Sequence, residues 1–266
     1  MNVLLLCAGF GSRLKPVTGI LPKCLVPIAG RPLLDIWLTN LSDLGSDQVF
    51  INVHHHSDLV LKFLEASCWI DKVSVIFEDE LCGTAGTMLA NPSLFEDGSL
   101  LVAHADNFTN LNIRRFLSSH KTRPEFCLAS MVTFRSQAPS SCGIVELDRN
   151  DVVVKFHEKV KNPPSNLANG AIYVFEPELI EVLKSIGAPP MDISLDLIPL
   201  LLGRISTFWH AGYHIDVGTI NNWTMANKKL SSQKRINDDL YRHVWSRMFG
   251  ENSQEILSKI ESYMSS

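Results

Sequence analysis

Apolar residues come along this chain in short runs separated by stretches with a helical period. Residues 3–6, 49–53, 73–77 and 100–103 form runs of four or five, while 33–44 and 59–64 space their apolar side chains along one side of a helix. A run that short reads as a strand buried on both faces, and strands alternating with helices read as βαβ units. After residue 125 strands follow in quicker succession, over 126–133, 144–147, 152–156 and 171–175, with Asp148, Arg149, Asn150 and Asp151 as a polar turn between the second and third. Pro177 opens a helix predicted over 177–184, and 193–202 reads as an apolar helix. From residue 231 the chain turns polar, with Leu240, Val244 and Met248 at every fourth position, the mark of an amphipathic helical tail that packs on the domain or self-associates. The expected fold class is α/β: a Rossmann-like mixed, mostly parallel sheet flanked by helices over residues 1–230, then a C-terminal helical extension over 231–266.

Composition narrows the function classes. At 266 residues, 45% hydrophobic and 20% charged, the chain can bury one sizeable core. A net charge of −4 offers no broad basic field for a nucleic-acid polymer, so any positive charge that matters is local. The six cysteines, no two closer than fourteen residues, lack metal-knuckle or redox-motif spacing and read as reduced core thiols. Trp209, Trp223 and Trp245 read as packing residues, because no basic stripe accompanies them. The opening apolar run is too short for a leader, and no segment approaches the roughly 18 to 20 apolar residues of a membrane span. A cytoplasmic protein without a membrane partner is expected.

The first strand runs into Cys7, Ala8, Gly9, Phe10, Gly11, Ser12, Arg13 and Leu14, a glycine-rich turn whose backbone amides can come close to phosphate oxygens. A dinucleotide-binding turn requires a third glycine where Leu14 stands and an unbroken helix behind it, but Pro16 follows within two residues. Prolines 16, 22, 27 and 32 hold the segment off regular helix, so Arg13 and Lys23 reach bound phosphates from a stiff loop. His54, His55 and His56 leave a strand on alternating faces and cannot easily converge on one ion.

From Ala8 to Asp35 the sequence resembles the N-terminal signature of the sugar-1-phosphate nucleotidylyltransferases, AGxGxRLxPxTxxxPKxLxPIxGxPxxD. The resemblance implies transfer of a nucleotidyl group from a nucleoside triphosphate to a sugar 1-phosphate, with Mg²⁺ as cofactor and pyrophosphate as leaving group. GTP and mannose 1-phosphate, or a related hexose or heptose 1-phosphate, are the substrates implied. Uridylyl or thymidylyl transfer, and a non-catalytic subunit that binds sugar nucleotides, are the alternatives. A homo-oligomer is compatible with any of these.

Roles carry over where the motifs match. The resemblance places Ala8, Gly9 and Gly11 around the triphosphate, with Arg13 and Lys23 as the catalytic cations. Glu80 to Gly86 is similar to the family's LGTAG loop, which puts Gly83 and Thr84 against the nucleobase, although both are also good capping residues. Asp106, beyond a buried strand, and Asp216, ending a short one, match the family's pair of metal-binding aspartates, with Asp106 also at the nucleotide. Two hard oxygen ligands suit Mg²⁺, while either aspartate alone reads equally well as a helix cap. Ala105 stands where the family usually has glycine. Phe156 to Lys159 resembles an FxEKP motif, with Val160 in place of proline, and assigns Glu158 and Lys159 to the sugar phosphate together with Gly143 and Asn169.

Overall fold

The computed structural model describes residues 1–264 apart from 43, 46–47 and 232–237, together with all their side chains except those of 238–240. In chain order the elements are β1 (Val3–Leu6), the small hairpin β2 (Pro27–Ile28) and β3 (Arg31–Pro32), α1 (Leu33–Ser42), β4 (Val49–Val53), α2 (Ser57–Ala66) and β5 (Val73–Phe77). Then come α3 (Gly86–Ala90), β6 (Leu100–His104), β7 (Asn107–Thr109), α4 (Ile113–Lys121), β8 (Ala129–Arg135), β9 (Gly143–Leu147), β10 (Val153–Glu158) and β11 (Leu167–Phe175). The chain ends with α5 (Leu179–Ile186), β12 (Ile205–Trp209), β13 (His214–Asp216), α6 (Ile220–Ser231), α7 (Asp238–Phe249) and α8 (Ser253–Ser262).

The expected mixed α/β sheet is present. Its order is β10-β9-β11-β6-β1-β4-β5, with β8 beside β11 and β12 beside β8. β1 pairs in parallel with β4 on one side and β6 on the other, and β4 with β5. The chain thus moves outward from β1 through β4 and β5, then returns to β6 across β1. That reversal opens a crevice outside the carboxyl ends of β1 and β6, where open α/β sheets hold their ligands.

Alternate residues of β1 feed two separate cores, as strand geometry requires. Val3 and Leu5 join α1, α2 and the C-terminal helices, whereas Leu4 joins Met88, Leu179, Leu183 and Ile198 on the other face. Val244, Trp245, Met248 and Ile260 of α7 and α8 lie in the first core, so the C-terminal helices pack on the domain. The expectation for Leu240 falls outside the described side chains.

Several sequence expectations need correction. Residues 193–202 do not form one apolar helix: Ile193–Leu197 makes a π turn and Ile198–Leu201 a 3-10 turn. Pro199 has no N–H to continue an α-helix, and Leu195, Leu200 and Leu202 are exposed. The strand expected from 126 starts at Ala129, because Cys127 N–H turns back to the Pro124 carbonyl and Phe126 faces solvent. Trp209 is 61% exposed, unlike the buried Trp223 and Trp245. Only Cys7, Cys24 and Cys127 are core thiols; Cys68 is exposed and Cys82 and Cys142 are half-buried. No described helix is long and apolar enough to cross a membrane.

Candidate active site

The turn after β1 is shaped by Gly11, which sits at φ +60 with Thr18 and Lys23 so close that a Cβ would strike the Thr18 methyl at 2.7 Å. The Thr18 hydroxyl donates to the Gly11 carbonyl at 2.9 Å and ties the glycine turn to the proline-rich loop. That loop delivers Lys23, itself only 8% exposed, to the end of the sheet. Phe10, at the tip of the turn, meets His54 edge-on with ring centroids 5.4 Å apart, so the histidine run packs beside this loop.

β7 and β13 pair antiparallel, with Asn107 opposite Asp216, and Val217 N–H donates to the Asp106 carbonyl at 2.9 Å. This ladder sets Asp106 and Asp216 side by side. Both carboxylates accept from the Lys23 ammonium, Asp106 through a short contact and Asp216 at 3.0 Å, and the Arg13 guanidinium reaches Asp216 at 3.5 Å. Burial alone would raise the Asp106 carboxyl, but the Lys23 and His104 charges and the Lys23 hydrogen bond outweigh it and hold the group below its ordinary value. Burial would likewise lower the Lys23 ammonium, yet Asp106 and Asp216 more than compensate and raise it. Two carboxylates that converge on one cationic point present a hard-oxygen donor set, which fits a divalent cation that keeps water and substrate phosphate in its remaining positions.

A cleft of about 210 Å³ opens beside this cluster, lined by Cys7, Ala8, Gly9, Lys23, Asn52, Glu78, Leu81, Gly83, Thr84, His104, Asp106 and Asp192. Asn52 at the end of β4 accepts from Cys7 N–H at 2.7 Å and donates to Glu78 at 2.9 Å. Glu78 also accepts from the Thr87 hydroxyl and from Cys82 N–H, so a buried carboxylate pins the 80–86 loop to the sheet. Gly83 is at φ +77 with no room for a side chain, since a Cβ would lie 2.3 Å from the Met191 carbonyl. The Thr84 hydroxyl is turned to Asp192 at 2.9 Å and accepts from Ile193 N–H, which locks the loop to the 191–193 segment. Asn52, Glu78 and Asp192 were not singled out from the sequence. For Asn52 a signal existed, an amide inside an otherwise apolar strand.

The remaining predicted residues gather on neighbouring strands, outside the cleft lining. Gly143 of β9 pairs with Glu158 of β10, and a Cβ on Gly143 would strike the Phe156 ring at 2.4 Å and the Glu158 carboxylate at 2.7 Å. Lys159 pairs with Glu158 at 2.8 Å and stays largely exposed. A bulge in β11 between Asn169 and Tyr173 turns the Asn169 amide onto the Tyr173 hydroxyl at 2.7 Å. Burial pushes that phenol well above its usual range, with the Asp192 and Glu158 carboxylates adding to the effect, so Tyr173 stands between the cleft and this second cluster.

His214 makes stability depend on pH. Its ring lies on Phe134 with centroids 4.5 Å apart, its Nδ1 has no partner, and burial together with the His210 charge pushes its pKa down to about 3. Between pH 6.5 and 3 the unfolded chain therefore binds a proton that the folded one refuses, and stability falls as pH drops through that window. The expected loss from this group is about 2 kcal/mol by pH 5. Denaturant titrations of wild type and His214→Gln at pH 7 and pH 5 check it, since the variant should lose less.

The family model described as nucleotidyl transferase matches residues 2–233. The chain belongs to that family. Among relatives, the chain is 29% identical over 227 residues to mannose-1-phosphate guanylyltransferase 1 of Arabidopsis thaliana, covering 82% of this chain and 61% of the plant protein. It is 26% identical over 253 residues to a UTP–glucose-1-phosphate uridylyltransferase of Synechocystis, covering 88% of this chain and 64% of that one. The chain thus spans about three-fifths of the length of these curated relatives. In structure it resembles HddC from Yersinia pseudotuberculosis complexed with GMP-PN, with a TM-score of 0.73 at 23% identity over 86% of this chain and 99% of that chain. That likeness concerns the fold.

Proposed function

We propose that this chain joins a nucleoside monophosphate from its triphosphate to a sugar 1-phosphate and releases pyrophosphate. The observation that carries the reading is the Lys23 ammonium held between Asp106 and Asp216 at the mouth of a cleft behind the glycine turn. A phosphate oxygen of the sugar phosphate forms a bond to the α-phosphorus as the bond to the β,γ-diphosphate breaks. The nucleophile is already ionised, so the protein has no proton to remove. Its task is to bring two polyanions together and to neutralise the charge that grows on the leaving diphosphate.

In this reading Ala8, Gly9 and Gly11 give the triphosphate close access to backbone, and Arg13 and Lys23 supply fixed positive charge. Gly83 and Thr84 belong to the loop that faces the nucleobase. Asp106 and Asp216 would hold Mg²⁺, which when bound supplies Lewis-acid polarisation of the phosphoryl oxygens. Glu158, Lys159, Gly143 and Asn169 receive the sugar phosphate, with Lys159 free to swing from Glu158 to an incoming phosphate. Guanine is favoured because a plant relative is named a mannose-1-phosphate guanylyltransferase and a solved likeness was obtained with GMP-PN.

Pyrophosphate release tests the proposal, with Mg²⁺ and GTP, UTP, dTTP, CTP or ATP crossed against mannose, glucose and heptose 1-phosphates. Release that needs both substrates, and is greatest with GTP, is the expected result. A folded protein that releases pyrophosphate with no pair would overturn it in favour of a binding subunit.

A further inference from the structure

The Asp106–Asp216 pair is already neutralised by side chains of this chain. Asp106 and the near oxygen of Asp216 share the Lys23 ammonium, and the far oxygen of Asp216 takes Arg13 at 3.5 Å. Two carboxylates thus face two cations, which leaves no net charge to draw a free divalent ion. Lys23 has little alternative. Its side chain is 10% exposed, and an ammonium driven from the pair without another anion would be a largely buried, unpaired charge. The cleft beside it is where such an anion would arrive, because Lys23 shares that lining with Ala8 and Gly9 of the glycine turn. A lysine stem is long and flexible enough to change partners without moving the backbone.

We infer that Lys23 is the resident counter-ion of the two aspartates in the nucleotide-free protein, and that it competes with the divalent metal until a triphosphate arrives to accept the ammonium. The inference rests on the metal role proposed for Asp106 and Asp216. Metal and nucleotide then favour each other: the metal frees Lys23 for phosphate, and phosphate makes Lys23 leave the carboxylates to the metal. By linkage the coupling is reciprocal, so the nucleotide should tighten metal binding by the factor by which metal tightens nucleotide binding. The aspartate pair needs no metal to stay in place, since Lys23 bridges it and the β7–β13 ladder fixes its backbone.

Manganese as a spin-resonance probe tests this without turnover. Nucleotide-free wild type should bind Mn²⁺ weakly and Lys23→Met about tenfold more tightly or better. Because the analogue's own phosphates also ligate Mn²⁺, at least one of the α,β-methylene analogues of GTP and UTP should tighten Mn²⁺ binding by a larger factor in wild type than in Lys23→Met. Equal affinity of nucleotide-free Lys23→Met and wild type would overturn the inference, with the metal reading intact if Asp216→Asn still abolishes Mn²⁺ uptake in the presence of the analogue. Uptake undiminished in Asp216→Asn would instead remove the metal reading and the inference with it. Wild type provides an arm that does not depend on the folding of a variant. Acylation of the Lys23 amine, read by peptide mass spectrometry, should rise when Mn²⁺ is driven on without nucleotide, and unchanged reactivity with metal bound would overturn the competition.

Discussion

Asp106→Asn should lower kcat by about two to three orders of magnitude and leave the protein folded. The substitution keeps the size of the side chain and removes one negative charge from the pair that faces Lys23. Its backbone carbonyl still receives Val217 N–H, so the junction of β6, β7 and β13 is undisturbed. Lys23 retains Asp216 at 3.0 Å, so the variant is not left with a buried cation lacking a partner. What it loses is half of the oxygen donor set proposed to hold the metal, and with it the charge that grows on the diphosphate has fewer fixed neutralising groups. Pyrophosphate release under saturating substrates, with circular dichroism to verify the fold, measures the effect. Retention of more than a tenth of wild-type kcat would sink the role given to Asp106.

The glycine turn and the strands that frame the cleft were legible because their signals are local. β1, β4 and β5 occupy the runs read from the pattern, but β5 lies at the sheet edge, half-buried and with Phe77 exposed, so its apolar run did not mean burial on both faces. The segment that carries Arg13 and Lys23 announced itself through prolines and glycines in sequence. The resemblance gave Lys23 and Asp216 separate roles, but their pairing across 193 positions was not read from the sequence, because β13 returns to β7 by a register that no periodicity encodes. Glu78 and Asp192 stayed hidden for a related reason. Each acts by pinning a loop from a distant strand or turn, as Glu78 does with Asn52 and Asp192 with Thr84, and an acidic residue in a loop has no spacing to betray that. Residues 193–202 misled because an apolar run broken by Pro199 satisfies a helical count while three of its leucines face water. The tryptophans misled differently: burial belongs to position in the fold, and Trp209 ends an edge strand.

Trp245→Ala should destabilise the protein by about 3 to 5 kcal/mol, whereas Trp209→Ala should change stability by about 0.5 kcal/mol or less. Trp245 is 1% exposed and sits in α7, beyond the residues matched by the family model. Its indole N–H donates to the Gly30 carbonyl at 2.8 Å, in the turn of the β2–β3 hairpin that follows Lys23. Around it Trp223 donates to the Pro27 carbonyl, Asn227 accepts from Ala29 N–H, and Tyr241 donates to Asp35 at 3.2 Å. Asp35 meanwhile takes Arg31 and Trp69. Helices α6 and α7 together therefore satisfy the backbone of a hairpin too short to satisfy itself, in a region where an orphaned carbonyl would cost free energy without return. Alanine at 245 removes a fully packed indole and that hydrogen bond together, while Trp245→Phe keeps most of the packing and should cost about 1 to 3 kcal/mol, the part due to the unsatisfied carbonyl. Urea unfolding of the three variants separates the contributions. A Trp245→Ala protein as stable as wild type would mean that the hairpin holds its shape on the α6 contacts alone, without the Trp245 indole.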